Sequence, residues 1–208
     1  MIEELHLNLA CGQRKEPGYF GIDIVPGEAV DAVMDLNRYP WDIKSESAED
    51  IMCHHYLEHI PHDNVRLIYQ IAAESKTYPQ FQKAMSQVLE FGLSDGLILF
   101  MNEIHRILKP NGKFRIIVPY FSSGRAFQDP THTRYINEWT FLYFNKQWRK
   151  DNLLDHYNTK ADFDFVYGFD YDQETLSRND EFKNFATKHY VNSVNDLHIT
   201  LTKREPSE

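Results

Sequence analysis

The sequence predicts an open α/β sheet of mostly parallel strands, on three observations. The chain has 208 residues, and domains run to roughly 100–200, so a single domain over 1–208 with one core accounts for it. Between Leu5 and Val118, short apolar runs alternate with helical stretches. Two late runs then alternate in the manner of antiparallel strands.

Leu5 to Ala10 reads as the first strand, followed by a glycine-bearing turn from Cys11 to Gly18 and a second strand, Tyr19 to Ile24, that carries Asp23 at its tip. Ala29 to Met34 reads as a third strand ending at Asp35-Leu36, and Ala48 to Cys53 as a fourth. Arg38 to Glu46, with Pro40-Trp41, reads as a loop. The region from Asp63 to Leu108 is mostly helical: Val65, Ile68 and Ile71-Ala72 share one face, as do Leu97, Met101, Ile104 and Leu108. Lys109-Pro110-Asn111-Gly112 stops the last of these helices, because proline cannot continue it and Asn-Gly turns readily. Lys113 to Val118 is the fifth strand. Residues 120–160 are aromatic-rich and irregular, and Phe163 to Tyr171 and Asp196 to Lys203 form the late antiparallel pair.

Composition narrows the function. Apolar residues make up 42% and charged residues 25%, and nine Gly plus nine Pro leave no disordered or collagen-like stretch. The formal charge of −9 opposes phosphate backbones and anionic lipid, so a nucleic-acid partner is disfavoured. No run approaches the ~20 apolar residues of a membrane span, and Met1 to Glu4 carries no targeting pattern, so a cytoplasmic location is expected. Cys11 and Cys53 are read as buried free thiols.

In such sheets a ligand lies beyond the carboxyl ends of the strands, where strand order reverses. Leu9-Ala10-Cys11-Gly12 places small residues where a ligand approaches the backbone, and Asp23 can accept hydrogen bonds from a ribose diol. Asp23 follows Gly12 by only 11 residues, against about 20 in the dinucleotide fingerprint. Gln13-Arg14-Lys15 after Gly12 is not a phosphate loop either. A nucleoside ligand without phosphates remains.

These residues, in order, resemble the class I S-adenosylmethionine-dependent methyltransferases, in particular a short-looped group with LNLxCG…PGYxxxD. The matching segments are Leu7 to Gly12, Pro17 to Asp23, Asp35-Leu36, His55 to Ile60 and Glu103 to Gly112. The resemblance implies a Rossmann-like, mostly parallel seven-stranded sheet with an antiparallel last strand, and S-adenosylmethionine as cofactor. It places Asn8 and Ala10 to Gly12 (with Cys11) against the methionine part, Asp23 and Ile24 at the ribose, Asp35 and Leu36 at the adenine, and Cys53, His54 and His55 along the pocket wall. Asn8 and Ala10 depart from the acid and glycine common in the family. Residues 63–94 have no counterpart in its compact members and form a helical insertion: a lid, an oligomer surface or decoration.

His54, His55, His59 and His62 lack the HExxH pattern, because Tyr56 stands where the glutamate would, so no metal is expected. If the methyl acceptor is a hydroxyl, a base must take its proton, and histidine titrates in the right range. His132, in Asp129-Pro130-Thr131-His132, is best placed, with Asp129 beside it; the alternative is that both anchor the loop. The expected reaction is in-line methyl transfer to a hydroxyl or amine of a small molecule or glycan. The rival is a noncatalytic nucleoside-binding or interaction module on the same scaffold.

Overall fold

The structure is a computed structural model that describes residues 1–3, 5–62, 72–91, 95–157 and 159–205. Its strands are β1 (His6–Leu9), β2 (Phe20–Asp23), β3 (Ala32–Val33), β4 (Ala48–His54), β5 (Leu108–Pro119), β6 (Phe163–Tyr171) and β7 (Val194–Lys203). Among the described residues they form one seven-stranded sheet in the order β3-β2-β1-β4-β5-β7-β6. Neighbours from β3 to β5 are parallel, and β7 runs antiparallel to both β5 and β6. This is the α/β sheet expected from the sequence, antiparallel last strand included. Strand order reverses between β1 and β4, which puts the ligand crevice beyond Leu9 and His54.

The central strands are buried on both faces, so they read as nearly continuous apolar runs. Leu7, Leu9, Ile51 and Cys53 are fully buried. Asn8 is buried too, and its side-chain oxygen accepts the backbone N–H of Glu16 at 2.9 Å. That bond ties the connection after β1 down to the strand. The connection itself, from Ala10 to Tyr19, contains no helix, in keeping with a crossover shorter than parallel pairs ordinarily use.

Helix α1 (Tyr78–Phe91) and helix α2 (Gly96–Ile107) precede β5. Asp95 caps α2 by accepting the N–H of Leu97 at 2.9 Å, and Leu97, Phe100, Met101, Ile104 and Ile107 form its buried stripe. Phe100 meets Trp41 edge-on, with centroids 5.3 Å apart, and also packs on Tyr56 and Phe114. Burying a ring of that size contributes about 2–3 kcal/mol. Glu103 and Arg106 bond to each other, and Arg106 also donates to the carbonyls of Trp41 and Ile43. The pair thereby holds the 41–45 loop on the helix.

The chain departs from the sequence expectation in three places. The third strand is only Ala32–Val33: the Val30 N–H before it is taken into a turn by the Gly27 carbonyl at 3.0 Å, and Asp31 meets Gly21 through its carboxylate, which accepts the Gly21 N–H at 2.7 Å. Lys109 to Gly112 does not separate helix from strand: Leu108 already pairs with Ala48, and the next pair is Lys113 with Asp50, so the four residues form a bulge. Asn111 takes a left-handed φ of 63°, and a Cβ on Gly112 would sit 2.8 Å from the Lys109 carbonyl oxygen. The late segments also hold more helix than expected. A 3₁₀ turn (Glu138–Phe144) and helices α3 (Arg125–Gln128), α4 (Lys146–Asp151), α5 (Gln173–Leu176) and α6 (Asp180–His189) interrupt them. All but α3 start on side-chain caps, Asn137, Asn145, Asp172 and Asn179, that short-range patterning had not singled out.

In the insertion, residues 63–71 and 92–94 lie outside the described residues. Residues 72–74 are helical and α1 begins at Tyr78, with helix interrupted between them. Among the described residues no helix is long and apolar enough to cross a membrane.

Candidate active site

The turn after β1 is built on left-handed backbone. Ala10 has φ 49° and Gly12 φ 57°, and nothing lies within 4 Å of where a Gly12 Cβ would stand. The space over the turn is therefore open to a ligand. Asp23, at the end of β2, closes the turn from the other side: the Gly12 N–H donates to Oδ2 and the Val25 N–H to Oδ1, both at 2.9 Å. Each carboxylate oxygen keeps a further lone pair for a ligand hydroxyl. Ile24 beside it is exposed.

The remaining residues on the cofactor side fall into two groups. Asp35 faces out, with Oδ1 accepting the Asn37 N–H at 3.0 Å and Oδ2 3.4 Å from Arg38, which in turn forms a fork with Glu74 of the insertion. Leu36 and Cys53, by contrast, point into the core. The indole N–H of Trp41 donates to the Leu36 carbonyl, and burial pushes the Cys53 thiol well up. Only their backbones can border a ligand. The Cys11 thiol is likewise turned inward against the Ala29 carbonyl, and burial, then Asp23, raises its pKa. His54 is half-buried, and desolvation lowers its pKa.

On the acceptor side, a cleft of about 440 Å³ is lined by His55, Glu58, His59, Pro119, Arg125, Gln128, Asp129 and His132. It lies past the ends of β4 and β5. Asp129 and His132 both reach it, but they are not hydrogen-bonded to each other through their side chains. Asp129 Oδ1 accepts from the N–H and the hydroxyl of Thr131, at 2.8 and 2.7 Å, which holds its carboxylate below the usual range. His132 Nδ1 lies 2.9 Å from the Ala126 carbonyl oxygen. A carbonyl only accepts, so Nδ1 carries the proton and Nε2 is left with a lone pair.

Two charged members of the cleft, Glu58 and Arg125, had not been singled out for chemistry from the sequence. Glu58 is 3% exposed, sits in the 3₁₀ turn Leu57–His59, and is pinned by its backbone carbonyl, which accepts the N–H groups of Thr133 and Arg134. His55 Nδ1 is 3.5 Å from its carboxylate, and Glu58 raises the His55 pKa. Arg125 reaches the cleft from α3 but is paired with Asp196 at 2.5 Å. The signal for Glu58 was its place between His55 and His59. Nothing local announced that the turn would lie against the Asp129 to His132 loop.

The chain matches no protein-family model and no curated protein. Among solved structures it is similar to an S-adenosylmethionine-dependent methyltransferase from Archaeoglobus fulgidus, with TM-score 0.52 and 14% identity over 95% of this chain and 85% of that one. One from Mesorhizobium loti gives TM-score 0.46 and 10% identity over 97% and 92%. The likeness is one of fold. The sheet is the Rossmann-like fold of class I S-adenosylmethionine-dependent methyltransferases.

Proposed function

We propose that the protein is an S-adenosylmethionine-dependent methyltransferase acting by in-line displacement on a hydroxyl or amine of a small molecule or glycan. The observation that carries this reading is the open left-handed turn at Ala10 to Gly12, braced by Asp23 and set at the switch point of a methyltransferase-type sheet. Bound S-adenosylmethionine supplies a methyl group on a positively charged sulfur, which needs alignment more than activation. Ala10 to Gly12 would take its methionine part, Asp23 its ribose and Asp35 its adenine.

The chain's own residues then handle the acceptor. The His-rich cleft beyond β4 and β5 positions it, and the Nε2 lone pair of His132 can take a proton from a hydroxyl. Phe127 and Tyr135, stacked with centroids 4.5 Å apart and largely exposed, add a flat apolar face next to that loop that suits a sugar or aromatic ring. The net charge of −9 disfavours nucleic acid as acceptor. A cytoplasmic single-domain enzyme, with the insertion available for self-association, completes the proposal.

The testing experiment is transfer of labelled methyl from S-adenosylmethionine into pooled metabolites, glycans and RNA. Label in a small molecule or glycan supports the reading. Label confined to RNA overturns the acceptor assignment, and no label in any pool, with the cofactor bound, favours a noncatalytic module.

A further inference from the structure

From the geometry of this cleft we infer a three-ligand site for a divalent first-row metal ion, zinc foremost, formed by Glu58, His59 and His132. One ligand atom from each of the three lies within 4.8 Å of the others. Ligand atoms about 2.0–2.2 Å from a common ion stand roughly 3–3.5 Å apart, so small side-chain rotations close the site. Two histidines and a carboxylate are a donor set for zinc or ferrous iron, with positions left open for a further ligand.

Two independent features point to an ion rather than to a chance cluster. The first is the Glu58 carboxylate. Both of its oxygens are buried, and among the described residues neither has a hydrogen-bond partner. The nearest basic group is the His55 ring, whose Nδ1 is 3.5 Å away. A buried carboxylate left so is costly unless a charge arrives to meet it. Arg125 is not that charge, being committed to Asp196, and the Asp129 carboxylate is held by Thr131.

The second feature is the backing of both imidazoles. His132 donates from Nδ1 to the Ala126 carbonyl. His59 Nδ1 lies 3.0 Å from the Thr131 hydroxyl, whose own proton is given to Asp129, so His59 Nδ1 is the donor there. Each ring is thus fixed in the tautomer that leaves Nε2 free, with its other nitrogen bonded to an outer acceptor. That is the arrangement metal-binding histidines use. With the ion in place, His132 is a ligand and not a base. Resting on the methyl-transfer reading, the ion would hold an acceptor oxygen, because the site lies beyond the carboxyl ends of β4 and β5.

The test is titration of tag-free, chelator-stripped protein with Zn²⁺ against a chromophoric competitor, with circular dichroism confirming the fold of each variant. The parent should bind one equivalent, and His59→Ala and His132→Ala should each bind at least about tenfold more weakly. Thr131→Val, which leaves all three ligands in place but removes the hydroxyl that backs His59 Nδ1 and bonds Asp129, should lose about 10–100-fold, and Thr131→Ser should keep the parent value. Thr131→Val carries the test if a histidine variant does not fold. Less than stoichiometric zinc on the folded parent, or parental affinity in a folded histidine variant or in Thr131→Val, overturns the site. S-adenosylhomocysteine binding, measured separately, tells the two proposals apart: its loss with zinc retained sinks only the cofactor reading.

Discussion

Ala10 holds a φ of 49°, in the left-handed region that favours glycine. A left-handed alanine costs about 1–2 kcal/mol, partly offset by the greater chain entropy that glycine loses on folding. Ala10→Gly should therefore raise stability by about 0.5 kcal/mol in urea denaturation, and a loss above 1 kcal/mol would contradict the strain assigned to the turn. Asp23 acts in the opposite sense. Asp23→Ala strips acceptors from the Gly12 and Val25 N–H groups and from the ligand, so S-adenosylhomocysteine affinity should fall by about 1.5–3 kcal/mol. Parental affinity in a folded variant would show the ribose to be misplaced. At this scale the sequence singles out residues by type and is silent about what they touch. Gly12 and Asp23 stood out by type and spacing. That Leu36 and Cys53 would turn inward, while Glu58 faces a cleft, depends on the sheet's two faces and could not be read from neighbours in the chain.

At the level of elements, helix α2 carries a titratable probe of its own packing. His105 meets Phe163 of β6 edge-on at 5.4 Å, and burial, then Lys203, pulls its imidazole from the usual 6.5 down to about 4. A folded pKa below the unfolded one means that the unfolded chain binds the proton more readily. This contribution is fully present above about pH 6.5 and is lost as pH falls toward 4. His105→Gln should lose less stability between those values than the parent, and identical slopes in melts across the window would refute the assignment. Deleting 63–94 with a short linker should leave the sheet intact, because all seven strands lie outside it. Asp95 must stay, since it caps α2 and accepts from Arg134 at 3.0 Å. Loss of the far-ultraviolet spectrum in the deleted protein would make the insertion part of the core. Periodicity located β1, β4, α2, β6 and β7 to within a few residues, since each presents a clear apolar face. The bulge at Lys109 to Gly112 escaped it because proline and Asn-Gly signal a turn without saying that strand pairing starts before it.

For the whole molecule, a mostly parallel sheet with a late antiparallel pair was legible in the short apolar runs, the helical stretch before β5 and the two alternating late runs, whereas the strand order was not. The sites are less legible than the sheet, because each joins distant segments: Gly12 with Asp23 across one crossover, and Glu58 with His132 across 74 residues of chain. The methyl-transfer reading requires that the open turn at the switch point bind S-adenosylmethionine. Isothermal titration of the full chain with S-adenosylmethionine and S-adenosylhomocysteine tests it most directly. The account predicts saturable one-to-one binding of both, weakened in Asp23→Ala, and absence of binding of either at millimolar ligand would contradict it.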